Sequence, residues 1–125
     1  MEHLFRIAHH GHGFKSIADL IDFVPILAEP GRMVFQGKPG PKHDNPIGTG
    51  HGGYAATLLD SCRGCAIHTM LPADKGYTTL ELKIIYVRAL TDRTGPVRAE
   101  GRITDVQGRL YAFATTTCLI FAIPD

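Results

Sequence analysis

Asp60 lies eight residues beyond Gly52, the first of two consecutive glycines that close a Gly-rich turn, and the run between them is mostly apolar. The turn spans residues 45–53 and contains Gly48, Gly50, Gly52 and Gly53, so its backbone can approach a ligand closely or take up positive φ. After it, Ala55, Leu58, Leu59, Cys62 and Ala66 recur at helical spacing, which predicts a largely buried helix over about residues 53–70. The first N–H groups of such a helix lack intrahelical acceptors and carry the positive end of its dipole. They suit a carbonyl oxygen that gains negative charge during a reaction. Aspartate is a poor helix former and costly to bury unpaired, so something must hold Asp60 in place. It is either a reactive carboxylate or the i,i+3 ion-pair partner of Arg63.

Eight residues of α-helix rise about 12 Å. One carbonyl therefore cannot be polarised by Gly52 and attacked through Asp60 of the same chain. A two-fold axis with antiparallel helices would bring Gly52 of one copy opposite Asp60 of another. If the pair is catalytic, the site is shared.

Two other groupings carry less. Cys62-Arg63-Gly64-Cys65 is a CxxC, but it falls in mid-helix rather than at the helix N-terminus that would lower a thiol pKa. Zinc would need further ligands from Cys118 or His68, so small core residues are the better reading. His9, His10 and His12 lie among glycines without a carboxylate at ligand spacing, as in a solvated segment. No metal and no cofactor is expected.

The elements that must position Gly52 and Asp60 can be outlined. Ile17, Leu20, Ile21 and Val24 follow Ser16 at helical spacing, giving a short helix that Pro25 ends, with residues 24–28 extended as the alternative. Glu29-Pro30-Gly31 reads as a turn into a strand over 32–37, and 38–50 as a loop. Past the long helix, 78–88 reads as a strand. Simple alternation puts Leu80, Leu82, Ile84 and Tyr86 on one face and Thr79, Glu81, Lys83 and Ile85 on the other. A strand over 97–106, in which Gly101 marks a bulge or close backbone approach, turns at Gln107-Gly108 into a last strand over 109–123. One long helix feeding consecutive strands implies an α+β fold with an antiparallel sheet.

At 125 residues the chain can bury one core but not two, so residues 1–125 are expected to form a single domain, with 1–22 as an N-terminal helical segment. A net charge of +1 gives no general attraction to nucleic acid, and no nucleic-acid motif is present. No apolar run is long enough to span a membrane. Three cysteines do not make a secreted disulfide framework, and the N-terminus lacks the apolar core of a signal peptide, so a cytoplasmic address is expected.

The segments NPIGTGHGG, LLDSCRGCAI, GYTTLELKIIYVRAL and GRLYAFATTTCLI, in that order and spacing, resemble the PaaI-type branch of the hotdog-fold thioesterases over about three quarters of the chain. The resemblance implies a long central helix wrapped by a curved antiparallel sheet, and hydrolysis of acyl-coenzyme A at an interface between copies, in a dimer or a dimer of dimers. It implies that Asp60 is the catalytic carboxylate and that the Gly52 amide polarises the thioester, with Gly53 beside it. It further implies that Thr79 helps to place the water or the carboxylate, and that Asn45 and His51 line the site. Arg63 departs from the small or apolar residue more usual at its position. Coenzyme A phosphates need basic partners, which Arg88, Arg93 and Arg98 could supply. Two rival activities remain at this point: a hydratase or dehydratase using His51 with Asp60, and a non-catalytic acyl-CoA binder.

Overall fold

A computed structural model describes residues 16–124. His9, His10 and His12, and most of the expected N-terminal segment, lie outside the described residues. Helix α1 (Ile17–Ile21) begins at Ser16, whose N–H donates to Asp19 Oδ2 at 3.3 Å. It stops earlier than Pro25, because Asp22 adopts φ 59°, a left-handed conformation that aspartate tolerates better than most residues. The chain is then extended in β1 (Phe23–Glu29), and Pro25 sits inside that strand rather than at a helix end. β1 lies at a sheet edge, where a residue without an N–H is accepted.

Pro30-Gly31 forms a two-residue turn between Glu29 and Arg32, with Gly31 at φ 76°, into β2 (Arg32–Gly37). The following loop contains a 3₁₀ turn (Pro41–His43) and is closed by a bridge between Asp44 and Gly50. Helix α2 (Gly52–His68) then runs against the sheet and buries Leu58, Leu59 and Cys62. β3 (Lys75–Tyr86) follows.

The single strand expected over 97–106 is instead a hairpin. β4 (Val97–Ala99) reverses at Glu100 and Gly101 into β5 (Arg102–Asp105), with Gly101 at φ 80°. β6 (Leu110–Ala122) completes a six-stranded open sheet in the order β1-β2-β4-β5-β6-β3, with every pair antiparallel. Val97, Ala99 and Ile103 point from the hairpin into the core beneath α2. Among the described residues no helix is long and apolar enough to cross a membrane.

One irregularity matters for the site. β3 pairs Thr79 with Cys118 but Glu81 with Thr117, so Leu80 is an extra residue in the ladder and is 63% exposed. The alternation of faces changes parity there. Leu82 and Ile84 pack on the core below the bulge, while Thr79 faces α2 above it. Thr79 therefore shares the helix-facing side with Leu82 and Ile84, and Leu80 does not. The bulge corrects the face assignment drawn from simple alternation.

Candidate functional site

Asp60 sits half-buried near the middle of α2. Thr79 Oγ1 donates to Asp60 Oδ1 at 2.9 Å, joining the helix to β3. Arg63 does not pair with it. The guanidinium reaches across the sheet to donate to the Ala114 carbonyl at 2.8 Å and packs over Gly101. No cation lies within ion-pair distance of Asp60 among the described residues. The ion pair with Arg63 is thereby removed as the explanation for an aspartate at this place.

The helix start is built from His51, Gly52 and Gly53. His51 is the N-cap, and its Nδ1 accepts the Gly53 N–H at 2.8 Å while its carbonyl accepts the Tyr54 N–H at 2.9 Å. Gly52 N–H makes no hydrogen bond among the described residues. The Gly52 carbonyl accepts a hydrogen bond of 2.7 Å from Tyr86 O–H, at the far end of β3. Tyr86 is absent from the sequence-derived candidates, because its reach to the helix start depends on where β3 ends.

A cleft of about 290 Å³ opens beside this start, lined by His51, Gly52, Tyr86, Arg88, Leu90 and Tyr111 among others. Arg88 lies over the Tyr111 ring, 5.8 Å from its centroid, and is the one arginine of the three candidates that reaches this cleft. Arg98 lies in a groove on the opposite face of the sheet, with Arg32 and Arg102. Arg93 belongs to an exposed turn in which its N–H donates to Thr91 Oγ1.

Asn45 makes hydrogen bonds within its own loop. Its Oδ1 accepts from the N–H groups of Ile47 and Thr49, and its Nδ2 donates to Thr49 Oγ1 at 2.9 Å. Those bonds shape the turn that delivers His51 to the helix. The fold thus collects His51, Gly52, Gly53, Tyr86 and Arg88 at one end of α2, and Asp60 with Thr79 about 12 Å along it.

Cys62 and Cys65 follow Asp60 on the same helix, and Cys118 pairs with Thr79 in the sheet. Cys62 Sγ accepts the Gly101 N–H at 3.1 Å, and burial raises its thiol pKa. Burial pushes Cys65 up to about 11. Neither is an activated thiolate. Among the described residues, no three His, Cys, Asp or Glu side chains are grouped as a metal site would need.

Comparison with known proteins places this geometry in context. A profile of the thioesterase superfamily matches residues 47–118. That stretch contains the helix start, Asp60, Thr79 and the three arginines, and excludes Asn45. None of the curated proteins compared matches the chain. A thioesterase from Haemophilus influenzae is similar over 99% of this chain and 92% of its own, with a TM-score of 0.83 and 15% identity. A mutant thioesterase from Pseudomonas aeruginosa covers 90% and 91%, with a TM-score of 0.80 and 19% identity. A mutant of the phenylacetic acid degradation protein PaaI from Thermus thermophilus covers 86% and 98%, with a TM-score of 0.71 and 22% identity. At these identities the likeness is one of fold: a hotdog, its long helix laid on an antiparallel sheet.

Proposed function

Because the chain belongs to the thioesterase superfamily, we propose that it hydrolyses the thioester of an acyl-coenzyme A, at a site completed by a second copy of itself. The observation that carries this reading is Asp60: a half-buried carboxylate in mid-helix, hydrogen-bonded by Thr79 and without a cation to explain it. As general base it takes a proton from water, whose oxygen attacks the thioester carbonyl. As nucleophile it attacks directly and forms an anhydride that water then cleaves. In either case Gly52 N–H of the other copy donates a hydrogen bond to the developing oxyanion. The coenzyme A thiolate is a fairly good leaving group, so no histidine acid is demanded. His51 caps the helix and lines the cleft, and Arg88 is the candidate partner for a coenzyme A phosphate.

The route to a shared site runs along β3. This twelve-residue strand is an open sheet edge, and Leu80 and Ile85 on it are exposed. Gly52 is tied to Tyr86 and Asp60 to Thr79 on that same strand. Antiparallel pairing of two β3 edges about an axis near Leu82 and Lys83 would set Gly52 of the partner subunit level with Asp60.

Thiol release from a panel of acyl- and aryl-coenzyme A substrates tests the activity, and Asp60→Asn tests the residue. The substitution keeps an acceptor for Thr79 but removes the charge. Turnover should fall by about 10²-fold or more with KM much less affected. A folded Asp60→Asn protein with near wild-type kcat would sink the assignment. Hydration of an enoyl thioester leaves coenzyme A attached, so the same assay separates hydrolysis from a hydratase, and turnover itself separates it from a mere binder.

A further inference from the structure

Two consecutive glycines are an unfavourable way to begin a helix that must aim an N–H group. Each can rotate more freely than any other residue, and at a helix start that freedom lets the first amides wander. Three hydrogen bonds remove it here. The His51–Gly52 peptide is held at its carbonyl by Tyr54 N–H. The Gly52–Gly53 peptide is gripped at both ends, its N–H by His51 Nδ1 at 2.8 Å and its carbonyl by Tyr86 O–H at 2.7 Å. The Tyr86 ring also packs against the turn. A Cβ placed on Gly52 would come within 3.2 Å of the phenol oxygen and 3.3 Å of the ring carbon that bears it. A phenol is protonated at neutral pH, so Tyr86 O–H remains a donor.

We propose that Tyr86 is a positioning residue for the Gly52 amide, holding the peptide next to it so that the Gly52 N–H points at one place in the cleft. The inference rests on the reading of that N–H as the donor to the thioester oxygen. A donor aimed in advance stabilises developing charge without reorganising during the reaction. Small misplacements of such groups carry large kinetic penalties. Tyr86 comes from the end of β3 and His51 from the turn, so the aim of the amide is fixed by two separate elements. Neither contact is local to Gly52 alone.

Tyr86→Phe deletes the hydroxyl and keeps the ring. With the best thioester substrate, kcat should fall about 5- to 30-fold while KM stays within about twofold, as expected when an interaction made chiefly in the transition state is weakened. A purely structural tether would lower the melting temperature and leave the kcat of folded protein unchanged, and that result overturns the proposal. A second readout needs no substrate. In ¹H–¹⁵N spectra and hydrogen exchange of the free protein, the Gly52 and Gly53 amides of Tyr86→Phe should shift and exchange faster than in wild type. Unmoved amides would likewise overturn it. An inactive wild-type protein would count against the thioesterase reading, while the amide signals would still decide whether Tyr86 holds Gly52.

Discussion

Thr79 has one hydroxyl proton, and in this protein it goes to Asp60. If that bond holds the carboxylate in line with its water or its substrate, Thr79→Ser should keep turnover within about threefold, while Thr79→Val should lose roughly tenfold or more. Equal kcat in the two variants would remove Thr79 from the site. The mid-helix, half-buried placement of Asp60 was legible in the sequence, since apolar residues at helical spacing flank it on both sides. Arg63 was not. Its i,i+3 spacing offers Asp60 as a partner, but its long side chain selects a carbonyl 51 residues away, and only the folded sheet brings that carbonyl near. Asn45 shows the converse, because the Asn-Pro turn readable in the sequence accounts for all the bonds its side chain makes among the described residues.

The strand β2, the Pro-Gly turn before it and the long helix were readable because periodicity and turn chemistry agree there. Two features were not. The Leu80 bulge reverses the faces of half a strand, yet nothing in the local pattern of alternating residues marks an inserted position. The β4–β5 hairpin hides because its reversal rests on one glycine, Gly101, whose missing Cβ leaves room for the Arg63 guanidinium 2.6 Å from where that atom would lie. Packing between α2 and β2 makes a separate prediction. Tyr54 O–H is buried with no partner among the described residues, and a Cβ on Gly37 would come within 2.3 Å of it. Tyr54→Phe should therefore be neutral or stabilising by up to about 1 kcal/mol. Gly37→Ala should destabilise, and less so in the Tyr54→Phe background. Urea denaturation of the four proteins gives the coupling. Additive effects would mean that the phenol oxygen and the Gly37 backbone do not meet.

At the scale of the whole molecule, the proposed division of the site between copies can be tested by mixing. Proline at the first helical position removes an N–H that the helix does not use and keeps the helix. Gly52→Pro should thus delete the proposed oxyanion donor, together with a shift of the Tyr86 ring that packs against it. Heterodimers of Gly52→Pro with Asp60→Asn hold one intact site, so random mixing should restore about a quarter of wild-type activity. No recovery in confirmed heterodimers would argue for sites within single chains. Stability should also respond to alkali. Burial raises Cys65 to about 11 and Tyr54 to about 12, and raises Tyr77 as well. These groups stay protonated in the folded protein after their unfolded counterparts have ionised. Their contribution is complete below about pH 9 and is lost as pH rises from about 9 to 12. Chemical denaturation across that interval should show the decline, and a flat profile would contradict the burial of these groups.

The two edges of the sheet are unequal, and this bears on how the proposed pairing of copies would end. β3 offers a long row of backbone donors and acceptors, whereas β1 carries Pro25, which has no N–H to give, and a break in register between Pro25 and Leu27. A sheet with two receptive edges could add molecules at both and grow into a fibre. With one receptive edge among the described residues, a union through β3 would use up the edge that made it. On the proposed pairing through β3 the sheet would double once, and among the described residues no second edge of that kind would be left for growth.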